Sequence, residues 1–294
     1  MTYELFKASL LEELKGHFPP DTAITVQSIP RNNQPRLEGL TILEKGLNIA
    51  PTIYIQTYYE KMESQKWDFS QAYRHILEDY YAYRPQESID VSFFQEFSHV
   101  QDRIMFQLIH AERNQELLKQ IPHIPFLDLA IVFYCLIFSE PAKSATILIQ
   151  NSHLKLWGID VPKLRELAGK NTPEWMEASC EPLSRLLSGF PLEGQPLCPS
   201  PLPIYVLTNR QRFHGAACLL YQDFIFQLSK KFRSDFYIIP SSIHEVLLIP
   251  ATSEMEPAMF NQMIREVNET QLEPDEILSD HVYYYDRSKR ELSF

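Results

Sequence analysis

Apolar residues recur at three- and four-residue steps near both ends of the first eighty positions. Tyr3, Phe6, Leu10, Leu14 and Phe18 mark one face of an amphipathic helix, which Pro19 and Pro20 stop. Phe69, Ala72, Tyr73, Ile76, Leu77, Tyr80 and Tyr81 form a second stripe, with Asp68 or Ser70 as its cap. Between the two, 23–27 and 37–43 are β-prone and are joined by the turn-rich stretch 30–35, and 54–61 is helical.

Farther along, 104–111 reads as a strand or short helix and 113–120 as a helix. The longest apolar run, 129–138, falls far short of the roughly 20 residues that span a bilayer. It reads as a buried strand, paired in a hairpin with 145–150. A helix at 161–170 follows, with further helix to about 187. The last third predicts a strand at 205–207, a helix at 216–232, a hairpin over 236–249, a helix at 257–269 and a strand at 281–285. Five prolines within the fourteen residues 190–203 make that stretch an extended, semi-rigid linker. The expected organisation is an N-terminal α+β lobe at 1–189, the linker, and a C-terminal α+β lobe at 204–294. A helix–strand–strand–helix order recurs at 3–81, 113–170 and 216–269, either by duplication or because α+β layers share that order. The fold class is α+β, with a mixed or antiparallel sheet and packed helices in two associated lobes.

Composition narrows the function classes. The chain has 294 residues and a formal net charge of −11, spread along its length, which disfavours non-specific nucleic-acid binding. No signal-like N-terminus precedes the first helix. Cys135, Cys180, Cys198 and Cys218 show neither close pairing nor metal-type spacing. A cytoplasmic protein with reduced thiols, no membrane segment and no cofactor is expected. With only 8 glycines, no phosphate loop or nucleophile elbow occurs.

Polar side chains cluster at the ends of the C-terminal strands. Ser242 and His244 share a face if their strand is regular, and could serve as nucleophile and base with an acid from elsewhere. The plainer alternative is a hairpin turn with a hydrogen-bonded histidine. His244 followed by Glu245 begins like a zinc-protease motif, but Leu248 stands where the second histidine belongs. A site built from His244, His281 and Asp280 would need the last strand to lie beside the hairpin, and no metal site is assigned. Asn209 and Arg210 precede Gly215 at a helix start, where backbone N–H groups and Arg210 could clamp an anion; a turn with a surface arginine is the alternative. Asp280 and His281 are further binding candidates.

These blocks carry a resemblance. Residues 39–42, 49–54, 121–123, 128–132, 167–173 and the C-terminal segments quoted above resemble a family of bacterial proteins of unknown function, common in anaerobic gut Firmicutes. The similarity runs nearly end to end. It implies no catalytic residues, and it implies an accessory role, because members are often encoded near mobile genetic elements. The leading expectation is a protein that binds a macromolecular partner, with oligomeric state open. The alternative is a hydrolase or transferase using Ser242, His244, Arg210 and Asp280/His281.

Overall fold

The computed structural model describes residues 1–64, 66–86, 88, 92–140, 143–187, 203–251 and 256–294. By internal contacts the chain divides into two compact units, Met1–Phe93 and Phe94–Phe294. The division does not fall at 190–203. That stretch lies almost wholly outside the described residues, and strands on either side of it pair with one another. The proline count carries no information on which strands pair across it.

The first unit follows its hydrophobic pattern closely. Helix α1 (Tyr3–His17), strands β1 (Ala23–Arg31), β2 (Gln34–Leu43) and β3 (Thr52–Tyr54), and helices α2 (Ile55–Glu63) and α3 (Phe69–Tyr83) come in that order. The strands form an antiparallel sheet in the order β1-β2-β3. Phe6, Leu10 and Leu14 of α1 share a core with Leu40, Ile42, Ala72, Ile76 and Tyr80. Asp68 caps α3 through a reciprocal pair of hydrogen bonds with Gln71.

The second unit holds two antiparallel sheets. Its elements are α4 (Phe97–Val100), β4 (Ile104–His110), α5 (Gln115–Leu118), β5 (His123–Phe126), β6 (Leu129–Glu140), β7 (Lys143–Leu148), α6 (Asn151–Trp157), α7 (Val161–Trp175), β8 (Ala178–Pro182) and α8 (Leu183–Leu187). After 188–202 come β9 (Tyr205–Asn209), α9 (Gln222–Phe232), β10 (Phe236–Ser242), β11 (Glu245–Pro250), α10 (Pro257–Thr270), β12 (Tyr283–Asp286) and β13 (Glu291–Ser293). One sheet runs β4-β6-β5 with β7 also on β6; the other runs β13-β12-β10-β11-β9-β8. The β6 residues Leu129 to Leu136 are all buried, which is why they lack a two-residue alternation.

Three expectations change. The region expected to stay helical to about 187 instead contains β8, whose Cys180 pairs with Leu207 of β9. The helix expected over 216–232 begins as a separate 3-10 turn, Gly215–Leu220, ahead of α9. The helix expected at 113–120 shrinks to a 3-10 turn and the four residues of α5. Among the described residues, no helix is long and apolar enough to cross a membrane.

Candidate functional site

β9 ends at Asn209, and the chain then makes a tight loop to Gly215. Asn209 is buried and organises this loop from both ends of its amide. Nδ2 donates to the Phe213 carbonyl at 2.7 Å and Oδ1 accepts from the Phe213 N–H at 3.2 Å. Arg212 and His214 take left-handed backbone conformations, at φ 52° and 50°, which cost energy for non-glycine residues. Gly215 is required by space. A Cβ there would lie 2.1 Å from Thr208 Oγ1 and 2.3 Å from the His244 carbonyl oxygen.

That carbonyl belongs to the β10–β11 turn, which packs against the loop. Ser242 Oγ accepts from the His244 N–H at 3.0 Å, the Thr208 hydroxyl donates to the His244 carbonyl at 2.7 Å, and His244 Nδ1 accepts from the His214 N–H at 3.2 Å. The His214 ring stacks on Phe213 with centroids 3.9 Å apart and lies nearly parallel to His244 at 5.8 Å. Tyr134 meets it edge-on at 5.4 Å. His214 keeps a little surface, but its Nδ1 is sealed from water without a partner. Burial, helped by the neighbouring His244, pushes its basicity down to about 3.

The structure therefore places Asn209 and His244 at one loop, while Ser242 holds the turn that packs against it. The Ser242 hydroxyl serves a backbone N–H, so these contacts do not assemble the nucleophile–base pair expected from a shared strand face. The reason is local: the ladder shifts register between Pro240 and Ser242, and the strand is no longer regular there. The expected anion cradle at Gly215 is occupied too. Gly215 is buried, and the Ala216 N–H donates to the Ile243 carbonyl.

Arg210 points elsewhere, to Glu177 Oε1 at 3.0 Å on the surface. Beside it a cleft of about 920 Å³ opens along β8 and β9, lined among others by Cys180, Glu181, Arg185, Arg210, Arg212 and Glu245. Burial raises the Cys180 thiol to about 11, despite the positive charge of Lys231. The thiol stays protonated and is a poor nucleophile.

Asp280 and His281 belong to a different cluster, centred on Asp128. This residue lies in the two-residue β5–β6 turn, where Leu127 has φ 55°. Asp128 accepts hydrogen bonds from the hydroxyls of Tyr283 and Ser279, both at 2.6 Å, and lies 3.3 Å from His281 Nδ1. Asp280 receives Arg113 at 3.0 Å and Asn268 at 2.7 Å. Burial alone would raise the Asp280 carboxyl, but these hydrogen bonds and the Arg113 charge outweigh it and hold it below the usual range. Burial lowers the basicity of nearby His110.

β12 does pair with β10, the neighbour relation that a site of His244, His281 and Asp280 requires. The side chains nonetheless turn to Asp128, to Arg113 and Asn268, and to His214. Among the described residues, no group of three His, Cys, Asp or Glu side chains could hold a metal ion. Sequence reasoning missed Asp128, His214, Arg113 and Tyr283. For His214 a signal existed, a histidine directly before a glycine in a loop. For Asp128 there was little, because it stands as a single acidic residue between Leu127 and Leu129 at the edge of the apolar run.

No curated protein and no solved structure matches the chain. Residues 3–287 match the sequence profile of the family of unknown function DUF5688, and the chain belongs to that family.

Proposed function

We propose that the chain acts by binding another protein, which lays an extended segment along the open edge of β8. One observation carries this reading. Among the described residues β8 is the last strand of the six-stranded sheet, paired only with β9, and the arginine-lined cleft lies directly beside it. An edge strand presents unpaired N–H and C=O groups. Strand addition uses those groups for affinity and neighbouring pockets for specificity. Among the described residues neither Arg212 nor Glu245 has an ion-pair partner, so the cleft offers one unpaired charge of each sign to the side chains of a bound segment. The free thiols of Cys135, Cys180 and Cys218 suit a reducing compartment, and we place the interaction in the cytoplasm. An accessory role linked to mobile genetic elements accords with a binding surface of this kind.

A hydrolase or transferase centred on Ser242, His244, Arg210 and Asp280/His281 has less support, because those groups are divided between two clusters and a surface ion pair. The test is capture from native extract by wild-type bait and by the Arg210→Glu/Arg212→Glu double variant. The same protein recovered by the first and lost with the second supports the reading. Equal recovery by both, or nothing reproducible with wild type, refutes it.

A further inference from the structure

A second cavity, of about 560 Å³, lies where α7 meets the start of α9. Its volume falls within the range of small-molecule sites. One wall is a stripe of α7, Arg165, Gly169 and Pro173, spaced one helical turn apart and therefore on one face. Two of these three residues carry little side chain. A Cβ on Gly169 would meet nothing within 4 Å, so the space before it is open. Facing them are Phe106, Tyr221 and Phe224.

Arg165 makes no hydrogen bond or ion pair among the described residues. Its guanidinium lies 5.3 Å from the Phe106 ring centroid, and Nη1 is sealed from water with no hydrogen-bond partner. Two carboxylates line the same cavity, and neither pairs with it. Glu177 is held by Arg210, and Asp223 is exposed. Nη1 is too enclosed for a ligand to reach, but Nε and Nη2 are neither sealed nor hydrogen-bonded among the described residues, and guanidinium is suited to two-pronged recognition of carboxylate or phosphate.

We propose that this cavity binds a small organic anion, with an oxyanion on Arg165 and an apolar body against Phe106, Tyr221 and Phe224. The cavity shares Ala178 and Phe224 with the cleft beside β8, but the inference does not need a protein partner. It is tested on the full chain by calorimetric titration with benzoate and with phenyl phosphate. Wild type is expected to bind at least one of them at one site per chain. Arg165→Leu, which keeps apolar bulk and removes the charge, and Gly169→Leu, which fills the open space, should each weaken binding at least tenfold. Gly169→Ala controls for folding and should leave the helical circular dichroism unchanged. No saturable binding to wild type, or undiminished binding in either leucine variant, overturns the proposal. So does inorganic phosphate binding as tightly as phenyl phosphate, because the apolar half would then contribute nothing.

Discussion

Acid should destabilise the second unit through His214, and the effect can be separated from that of other histidines. In the folded chain this imidazole protonates only near about 3, whereas an unfolded histidine does so near 6.5. Below about pH 6.5 the unfolded state therefore binds more protons, and stability falls as pH falls until the folded group titrates. The slope is about 1.4 kcal/mol per pH unit, which amounts to at most about 3 kcal/mol between pH 6.5 and 4.5. The physical cause is visible in the contacts. Protonation would place an N–H on Nδ1, where no acceptor and no water can meet it, and the neighbouring His244 opposes the added charge. Urea midpoints measured at about pH 7, 5.5 and 4.5 for wild type and His214→Asn would show it. Asparagine tolerates the left-handed backbone and cannot titrate. His110 and His153 also have lowered basicity from burial, and both remain in the variant, so the difference in slope isolates His214. With Trp67 replaced by phenylalanine, Trp157 and Trp175 report on the second unit alone. Parallel slopes in the two proteins would refute the argument.

Gly215→Ala should destabilise the same unit by about 3 kcal/mol, combining overpacking with disturbance of the Thr208–His244 hydrogen bond. A urea midpoint within about 1 kcal/mol of wild type would show that the turn can move aside. Gly169→Ala should do the opposite, adding about 1 kcal/mol because its new methyl enters open space; a lowered midpoint would contradict the cavity. Asp128→Asn leaves one acceptor oxygen where two hydroxyls and an imidazole converge, and should cost about 2–3 kcal/mol. Thermal unfolding would detect this, and Tyr283→Phe should lower the transition by less, since it removes one of those bonds and leaves the carboxylate intact.

Long periodic segments were legible in the sequence because their burial is one-sided. α1 and α3 follow from the three- and four-residue steps of Phe6, Leu10, Leu14, Ala72, Ile76 and Tyr80, all buried. β6 was legible for the reverse reason: it is buried on both faces, leaving an uninterrupted apolar run. β8 was not, because Ala178 to Pro182 is too short and too polar to outweigh the helix before it. Its strand character comes from pairing with β9, a contact across more than twenty residues of sequence. Pairing of this kind also decides the site. Ser242 and His244 were expected to share a face, but the register shift between Pro240 and Ser242 turns the hydroxyl onto the backbone.

Hydrogen-bond accounting adds a second criterion to residue type in the search for a ligand site. The side chains chosen for their reactivity, Ser242, His244, Asn209, Arg210, Asp280 and His281, all have partners within the chain. Each of these bonds spends part of a side chain's capacity on the fold. The buried polar atoms left without partners among the described residues are Arg165 Nη1, His214 Nδ1 and Ser234 Oγ. Of these, His214 is neutral and enclosed by aromatic rings, so its unmet lone pair is a modest cost tied to the strained loop it anchors. Arg165 differs on both counts. It carries a charge that burial penalises, and it lines a cavity that a ligand can enter. The anion proposed for that cavity would meet this charge through the accessible nitrogens of Arg165, at a residue of α7 with no motif around it.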